Sequence, residues 1–399
     1  MTRIVVHDCS GHPFQVELSR ELAKRGHEVL HLYSSLLQTP RGPLVQRPDD
    51  PSTFQVRGVA TSRAIQKYNY VKRFFQEREY GEKLIEQVKR FAPDVVLSGN
   101  AQLDVQEALQ RHCRRHGIRF WFWVQDLLGY GAKKILAGKY LGAGTLVGQH
   151  YVRKEQRIAR QSEGNVVITP DFVGLLEAWG VDKDKVHFIP NWAPLNDIQV
   201  RAKRNPWAKE HGLQKGFNFV YTGTLGLKHN PDLLADLARH VADQGAQVVV
   251  TSEGLGADHL SEAKRKGGLD NLTLMGFQDF GVYSDVLGCA DVLVAILEPE
   301  AGVMSVPSKV LSYHCAGKPI LLSAPLENLA SRTVKQAGSG VVVPAEDRSA
   351  FLAAADVLLE DGARRRSMRR NARDYAERHF DIQAVADRFE DALELWEQA

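Results

Sequence analysis

The strongest constraint on this chain is an alternation of short apolar runs with helical periodicity that proceeds to Pro190, breaks, and restarts at Phe217. Arg3-Ile-Val-Val-His-Asp8 reads as a buried strand, and Phe14, Leu18 and Leu22 then recur at helical spacing between Pro13 and Arg25. Gly26 supplies a helix stop, and the apolar run from His27 to Tyr33 completes a strand-helix-strand unit. Further strands are expected from Asp94 to Leu97, Arg119 to Val124, Asn165 to Thr169 and Val186 to Ile189. Pro190-Asn-Trp-Ala-Pro194 and the polar stretch to Lys215 have the composition of a linker. Beyond it, strands are expected from Phe217 to Thr222, Ala246 to Thr251, Leu272 to Met275, Ala290 to Ile296, Pro319 to Leu322 and Gly340 to Val343. Such alternation builds parallel sheets covered by helices. The expected fold class is α/β, with two doubly wound, Rossmann-like domains at residues 1–195 and 196–379 facing a central cleft. A C-terminal helix at 380–399 is expected to pack back on the first domain. Open sheets of this kind bind ligands beyond the carboxyl ends of their strands.

A length of 399 residues accommodates two cores, and a formal net charge of +3 leaves no field of the size that nucleic-acid binding needs. No apolar stretch approaches the about 18 residues of a membrane span, and the chain runs directly into its first strand. A cytoplasmic location is therefore expected. Cys9, Cys113, Cys289 and Cys315 lie far apart, which argues for reduced, buried thiols and against zinc or disulfides. The arginines at 364, 365, 366, 369 and 370 read as a solvated helix face.

Chemistry concentrates between Glu298 and Pro319, in a segment that follows a strand and opens a helix near Pro307. Proline suits a first helical turn, Ser308 offers a hydroxyl, Lys309 a cation, and free amides at a helix start favour phosphate. A merely capped helix with an exposed lysine has the same composition. This segment, Pro307-Ser-Lys309 followed by Gly317-Lys-Pro319, resembles the donor-binding signature of retaining family 4 glycosyltransferases, particularly the branch similar to colanic acid and other polysaccharide-biosynthesis enzymes. Other landmarks stand in matching order: Gly26-His-Glu-Val29, Trp123-Val-Gln-Asp126, Ile189-Pro-Asn-Trp192, Tyr221-Thr-Gly-Thr-Leu-Gly-Leu-Lys228 and Gly276-Phe277.

The resemblance implies a GT-B fold, a nucleoside diphosphate-sugar donor that is UDP- or GDP-linked, and no separate cofactor. It implies that Lys228 meets the donor diphosphate and offsets charge on the leaving group. Relatives usually carry an arginine near the position of Thr224, and with it absent Lys309 is the candidate second cation. Two cations plus helix amides would serve without a metal, and no Asp-x-Asp signature stands in an obvious loop. Relatives also carry a Glu-x7-Glu pattern; here Met304 and Ser312 occupy those positions. Glu300, with Glu298 beside it, is the candidate for the sugar-side acid, though both would also serve as exposed turn charges. Ribose recognition is left to Ser312 or Glu327, and Val306, Pro307 and Ser308 complete the phosphate loop. Base recognition is expected around Gly276 and Phe277, with Glu253 and the glycines after it in the neighbouring turn.

In the first domain, Ser10-Gly-His12 fills the first strand-to-helix turn, where Gly11 permits close backbone approach and His12 faces the acceptor side, together with Asn100. Asp126 ends a strand and is positioned to orient an acceptor hydroxyl or to steady an oxocarbenium-like transition state; an ordinary helix cap is the alternative. Lys67-Tyr-Asn-Tyr-Val-Lys-Arg-Phe-Phe75 either lies on a membrane surface beside a lipid-linked acceptor or packs as a helix on its own domain. The stretch from Gly129 to Gly148, with six glycines and Lys133, Lys134 and Lys139, reads as a mobile acceptor loop. The expected function is transfer of a sugar, with retention, to a hydroxyl of a glycan, lipid-linked sugar or small molecule in polysaccharide or glycoconjugate biosynthesis. A sugar-nucleotide 2-epimerase and a noncatalytic sugar-nucleotide-binding subunit are the alternatives, separated by a need for an acceptor and by turnover itself.

Overall fold

The apolar runs pair into two parallel sheets. The computed structural model describes the chain apart from residues 37–40, 63–69, 140–141, 227–228, 303–304 and 396–399, and the side chains at 70–74, 139, 143 and 301. In chain order the first elements are β1 (Arg3–Asp8), α1 (Pro13–Lys24), β2 (Glu28–Ser34), β3 (Phe54–Val59), α2 (Tyr70–Phe91) and β4 (Val95–Gly99). Next come α3 (Leu103–Arg115), β5 (Arg119–Val124), α4 (Leu128–Lys139), α5 (Ala143–Gln161), β6 (Gly164–Val167), α6 (Pro170–Ala178) and β7 (Val186–Phe188). The second series runs α7 (Pro206–Glu210), β8 (Phe217–Thr222), α8 (Pro231–Val241), β9 (Ala246–Thr251), α9 (Leu255–Gly267), β10 (Leu272–Met275), α10 (Phe280–Gly288) and β11 (Val292–Ile296). It continues α11 (Pro299–Gly302), α12 (Lys309–Cys315), β12 (Ile320–Ser323), α13 (Leu329–Ala337), β13 (Gly340–Val343), α14 (Arg348–Glu360), α15 (Gly362–His379) and α16 (Ile382–Leu393). Contacts divide the chain into Met1–Asn191 with Ile382–Ala399, and Trp192–Asp381.

The first unit holds a seven-stranded sheet in the order β3-β2-β1-β4-β5-β6-β7, with Val5 of β1 opposite both Leu30 of β2 and Val96 of β4. Every pairing is parallel, so the central strands are buried on both faces and read as apolar runs, Ile4-Val-Val6 in β1, Val95-Val-Leu97 in β4 and Phe120-Trp-Phe-Trp-Val124 in β5. The edge strand β3 escaped the sequence reading because its inner positions Arg57 and Gly58 are exposed and only β2 pairs with it. Strand order reverses between β1 and β4, which opens a crevice at their carboxyl ends. The last helix belongs to this unit: Phe389 of α16 is buried with its ring 4.9 Å from that of Trp123. His27 contacts Glu390 at 3.0 Å, and Arg25 binds Glu390 and Asp387.

The glycine-rich stretch from Gly129 to Gly148, expected as a mobile loop, is instead most of a helical hairpin formed by α4 and the start of α5. Two of its glycines, Gly129 and Gly148, serve close packing. A Cβ on Gly148 would stand 2.4 Å from the Lys133 Cα, and one on Gly129 would stand 2.9 Å from the Val152 Cα. Glycine therefore lets the two backbones approach, at some cost in helix propensity.

The second unit repeats the plan as a six-stranded parallel sheet, β10-β9-β8-β11-β12-β13, with Phe219 of β8 opposite Val248 of β9 and Val292 of β11. Its core is built from Phe219, Val248, Val250, Val292, Val294 and Leu321, covered by Leu234 and Leu237 of α8 and Phe351 of α14. Order reverses again, between β8 and β11. Among the described residues no helix is long and apolar enough to cross a membrane.

Candidate active site

In the first unit the carboxyl ends of β1 and β4 bring three sequence candidates around a fourth residue, Asp8, which the sequence did not single out. Asp8 ends β1 fully buried and accepts hydrogen bonds from the Ser10 amide at 3.0 Å and from the His12 amide. The Asn100 amide donates to it at 3.2 Å, and the His12 Nδ1 stands 3.3 Å away. Asn100 follows β4 at φ +51, and it also lies 3.3 Å from His12 Nδ1. Burial opposes ionisation of Asp8, but the charge and hydrogen bonds of His12 hold its carboxyl below the usual range. Burial likewise opposes protonation of His12, and the Asp8 carboxylate, with Asp126 adding to it, raises the imidazole above its ordinary value. Gly11 is buried at φ +75, with the Leu44 side chain filling the space of a Cβ at 2.6 Å and Gly42 donating to its carbonyl at 3.0 Å. These contacts with its own chain account for glycine there.

Beneath this turn lies a buried polar layer. His7 contacts Ser98 at 2.7 Å and the Tyr80 hydroxyl at 3.0 Å, and burial lowers it to about 4, so it stays neutral. Asp126 is exposed just past β5. Its neighbour Gln125 exchanges hydrogen bonds with Asn191 at 3.1 and 2.6 Å, which ties two landmark segments of the sequence together. Glu155 of α5, fully buried, accepts the amides of Leu128 and Gly129 at 2.9 and 3.0 Å and so caps the start of α4. Burial pushes its carboxyl up to about 8.

In the second unit, the switch point between β8 and β11 gathers the phosphate candidates. Lys309 opens α12, and its ammonium donates to the Tyr221 hydroxyl while lying 3.8 Å from the centre of that ring. Its Cε would be 3.7 Å from a Cβ on Gly223, which turns the chain at φ +93 after β8. Tyr221 in turn donates to the carbonyl of Thr224 at 2.9 Å, and the Thr224 side chain is exposed. Pro307 precedes the helix rather than entering it: Val310 and Leu311 donate to the carbonyls of Pro307 and Ser308 at 3.3 and 3.0 Å. The exposed Ser308 makes no side-chain cap, and Val306 is half-buried. Ser312, one turn on, hydrogen-bonds Tyr283, which also meets Thr222 at 3.0 Å.

Around this centre the remaining candidates divide. Glu298 hydrogen-bonds Asn230, and burial, with the charges of Glu300 and Glu346, raises its carboxyl. Glu300 sits exposed on α11 and Glu327 exposed before α13. Asn328 ties the loop between them by donating to Gly302 and Ser305 carbonyls at 2.8 and 3.0 Å. Glu253, after β9, accepts the Phe277 amide at 3.3 Å, so these two candidates stand together beyond β9 and β10. Lys228, Met304 and residues 67–69 of the basic aromatic segment lie outside the described residues.

The comparisons fit this geometry. Residues 12–192 match the family model of a glycosyl transferase 4-like domain, and residues 216–361 match that of glycosyl transferases group 1. The chain belongs to the family 4 type of GT-B glycosyltransferases. No curated protein matches it by sequence. Among solved structures it is similar to sucrose-phosphate synthase from Thermosynechococcus elongatus, with 16% identity, a TM-score of 0.76 and 99% of each chain covered. It is also similar to Anabaena HepE in complex with UDP-glucose, at 12% identity, a TM-score of 0.72 and coverage of 99% of this chain and 100% of that one. A third is WaaG, a glycosyltransferase involved in lipopolysaccharide biosynthesis, at 16% identity, TM-score 0.68 and coverage of 97% and 98%.

One motif residue of this glycosyltransferase does internal work. Lys318, between Gly317 and Pro319, is 2% exposed and donates to the carbonyls of Gly288 and Ala290 at 2.6 and 2.8 Å. It closes the end of α10, and burial lowers it to about 8. The sequence Asp182-Lys-Asp184 precedes β7, at the amino end of that strand and so opposite the carboxyl edge where the candidates gather. Glu155 carried no local signal, since its partners lie 26 and 27 positions away, and Asp8 joins its near neighbours Ser10 and His12 to the distant Asn100.

Proposed function

We propose that this glycosyltransferase moves a sugar from a nucleoside diphosphate-sugar, UDP- or GDP-linked, to a hydroxyl acceptor with retention of configuration and without a metal. The observation that carries this is the Lys309 side chain, its Cε beside the Gly223 turn and its ammonium on the Tyr221 hydroxyl, at the switch point of the second sheet. A cation fixed there offsets charge as the nucleoside diphosphate departs, and Lys228 is assigned the same task. The complexes of HepE with UDP-glucose and with UDP and glucose support uracil as the base. Phe277 and Glu253 are assigned to the base side, Ser312, Glu327 and the Val306-Pro307-Ser308 turn to the ribose and phosphates, and Glu298 or Glu300 to the sugar. In the first unit, His12, Asn100 and Asp126 are assigned to the acceptor side, where His12 supplies positive charge and Asp126 a carboxylate for the acceptor hydroxyl. A glycan, lipid-linked sugar or small molecule is the acceptor class, with a membrane-proximal, cytoplasmic role in glycoconjugate assembly.

A thermal-shift series with UDP-, GDP-, dTDP- and ADP-sugars tests the donor, since a ligand at 100 times its dissociation constant stabilises the native state by about 2.7 kcal/mol. No shift with any of them sinks the proposal. Lys309→Ala is expected to lower kcat by about 100-fold or more while the fold persists. Full turnover in EDTA is the expected result for metal independence, and activity that magnesium or manganese must restore overturns it.

A further inference from the structure

Resting on the donor reading, we infer that Ser312 is held as a hydrogen-bond acceptor for a ribose hydroxyl of the nucleotide, and that Tyr283 is the positioning residue that holds it so. The hydroxyls of Thr222, Tyr283, Ser312 and Tyr313 form a chain at the carboxyl end of β8. The Tyr313 hydroxyl accepts from the Thr222 amide at 3.2 Å and donates to the Val294 carbonyl at 3.1 Å, with the Thr222 Oγ1 at 3.3 Å. Thr222 Oγ1 lies 3.0 Å from the Tyr283 hydroxyl, which also hydrogen-bonds Ser312. Backbone fixes one end of this chain. Strands β8 and β11 pair at Phe219 with Val292 and at Val220 with Leu293, and the Tyr313 hydroxyl bridges them beyond that point.

Proton counting gives the chain one direction. An amide can only donate and a carbonyl only accept, so Tyr313 gives its single proton to Val294 and can only accept from Thr222 Oγ1. Thr222 has then spent its hydroxyl proton and accepts from Tyr283, which has spent its own and accepts from Ser312. The Ser312 oxygen keeps acceptor capacity alone. Burial raises both tyrosines above their ordinary values, so the protons that this count requires are in place at neutral pH. Position then selects the ligand group. Ser312 stands one turn after Lys309 on the same face of α12, and Tyr283 lies in α10, which opens just beyond Phe277. The chain therefore runs from the cation assigned to the phosphates toward the side assigned to the base, and the ribose is what joins the two. A ribose hydroxyl donates to a fixed acceptor, whereas a deoxy carbon leaves that acceptor unpaired.

Isothermal titration of the full chain with UDP and with GDP, each beside its form lacking both ribose hydroxyls, tests this. Whichever base binds, the wild type is expected to hold the ribo form about tenfold more tightly than the dideoxy form. Tyr283→Phe breaks the chain and frees the Ser312 proton to point outward, so it is expected to lower that ratio to about twofold by weakening the ribo form alone. Retained affinity for the dideoxy form certifies the variant's fold. Ser312→Ala is expected to give the same ratio, and the double variant no further loss, since both act through one oxygen. A wild type that binds the two forms equally overturns the inference and leaves the donor reading standing. So does a Tyr283→Phe variant that keeps the wild-type ratio or weakens both forms alike. Binding of neither nucleotide sinks the donor reading and this inference with it.

Discussion

Asp8 illustrates how one carboxylate organises a turn. Its acceptor oxygens collect the amides of Ser10 and His12, the His12 ring and Asn100, so removing the charge leaves buried donors without a partner. Asp8→Asn is expected to destabilise the protein by about 3 kcal/mol, read from urea unfolding. It should also drop the His12 pKa, which an NMR titration of the ring would follow. The pH dependence has two flanks. His12, raised above 6.5, contributes stability that is fully present below 6.5 and fades as pH rises through its folded value. Asp8, held below 3.8, contributes stability that is present above 3.8 and fades as pH falls through its folded value. Both flanks should flatten in Asp8→Asn; an unchanged stability profile refutes the coupling. Lys309 was legible in the sequence because Pro307-Ser-Lys309 is contiguous. Asp8 was not, because Asn100 lies 92 positions away and an aspartate ending a strand is unremarkable.

At the scale of elements, the α4–α5 hairpin depends on glycine and on a buried acid. Gly148→Val should force the helices apart and cost about 2 kcal/mol or more, measured by chemical unfolding. Glu155 gives a signature in pH. With its pKa raised from 4.5 to about 8, its contribution to stability is complete below 4.5 and is lost as pH rises toward 8. Glu155→Gln should remove that slope, so the advantage of wild type over the variant in Tm shrinks as pH rises from about 5 to 8. A constant gap would count against a buried, protonated Glu155. The hairpin also shows where sequence reading fails: glycine signals a loop unless it is known which backbone it faces. The central strands β1, β4 and β9 were readable because burial on both faces leaves an apolar run of three or more residues. Strand β3, with Arg57 and Gly58 exposed, had no such run to offer.

For the whole molecule, the decisive feature is that the first unit is built from both ends of the chain. The restart at Phe217 made two sheets legible, since the same periodicity occurs twice. The expected C-terminal helix, α16, is held in the first unit by Phe389 on Trp123, Glu390 on His27 and Arg25 on Glu390 and Asp387, partners that periodicity alone does not name. Phe389→Ala is expected to destabilise the first unit by about 3 to 4 kcal/mol. Unfolding followed by Trp fluorescence should shift accordingly; a change within about 0.5 kcal/mol would show that α16 contributes little. There is also a consequence in time. During synthesis the ribosome makes all of residues 192–381 before it makes Phe389. At about 5 to 20 residues per second, the ring of Trp123 waits some tens of seconds for its cover. The sheet that is translated first is therefore the last to be sealed, and until then a nascent chain with a finished second unit carries an open apolar seam.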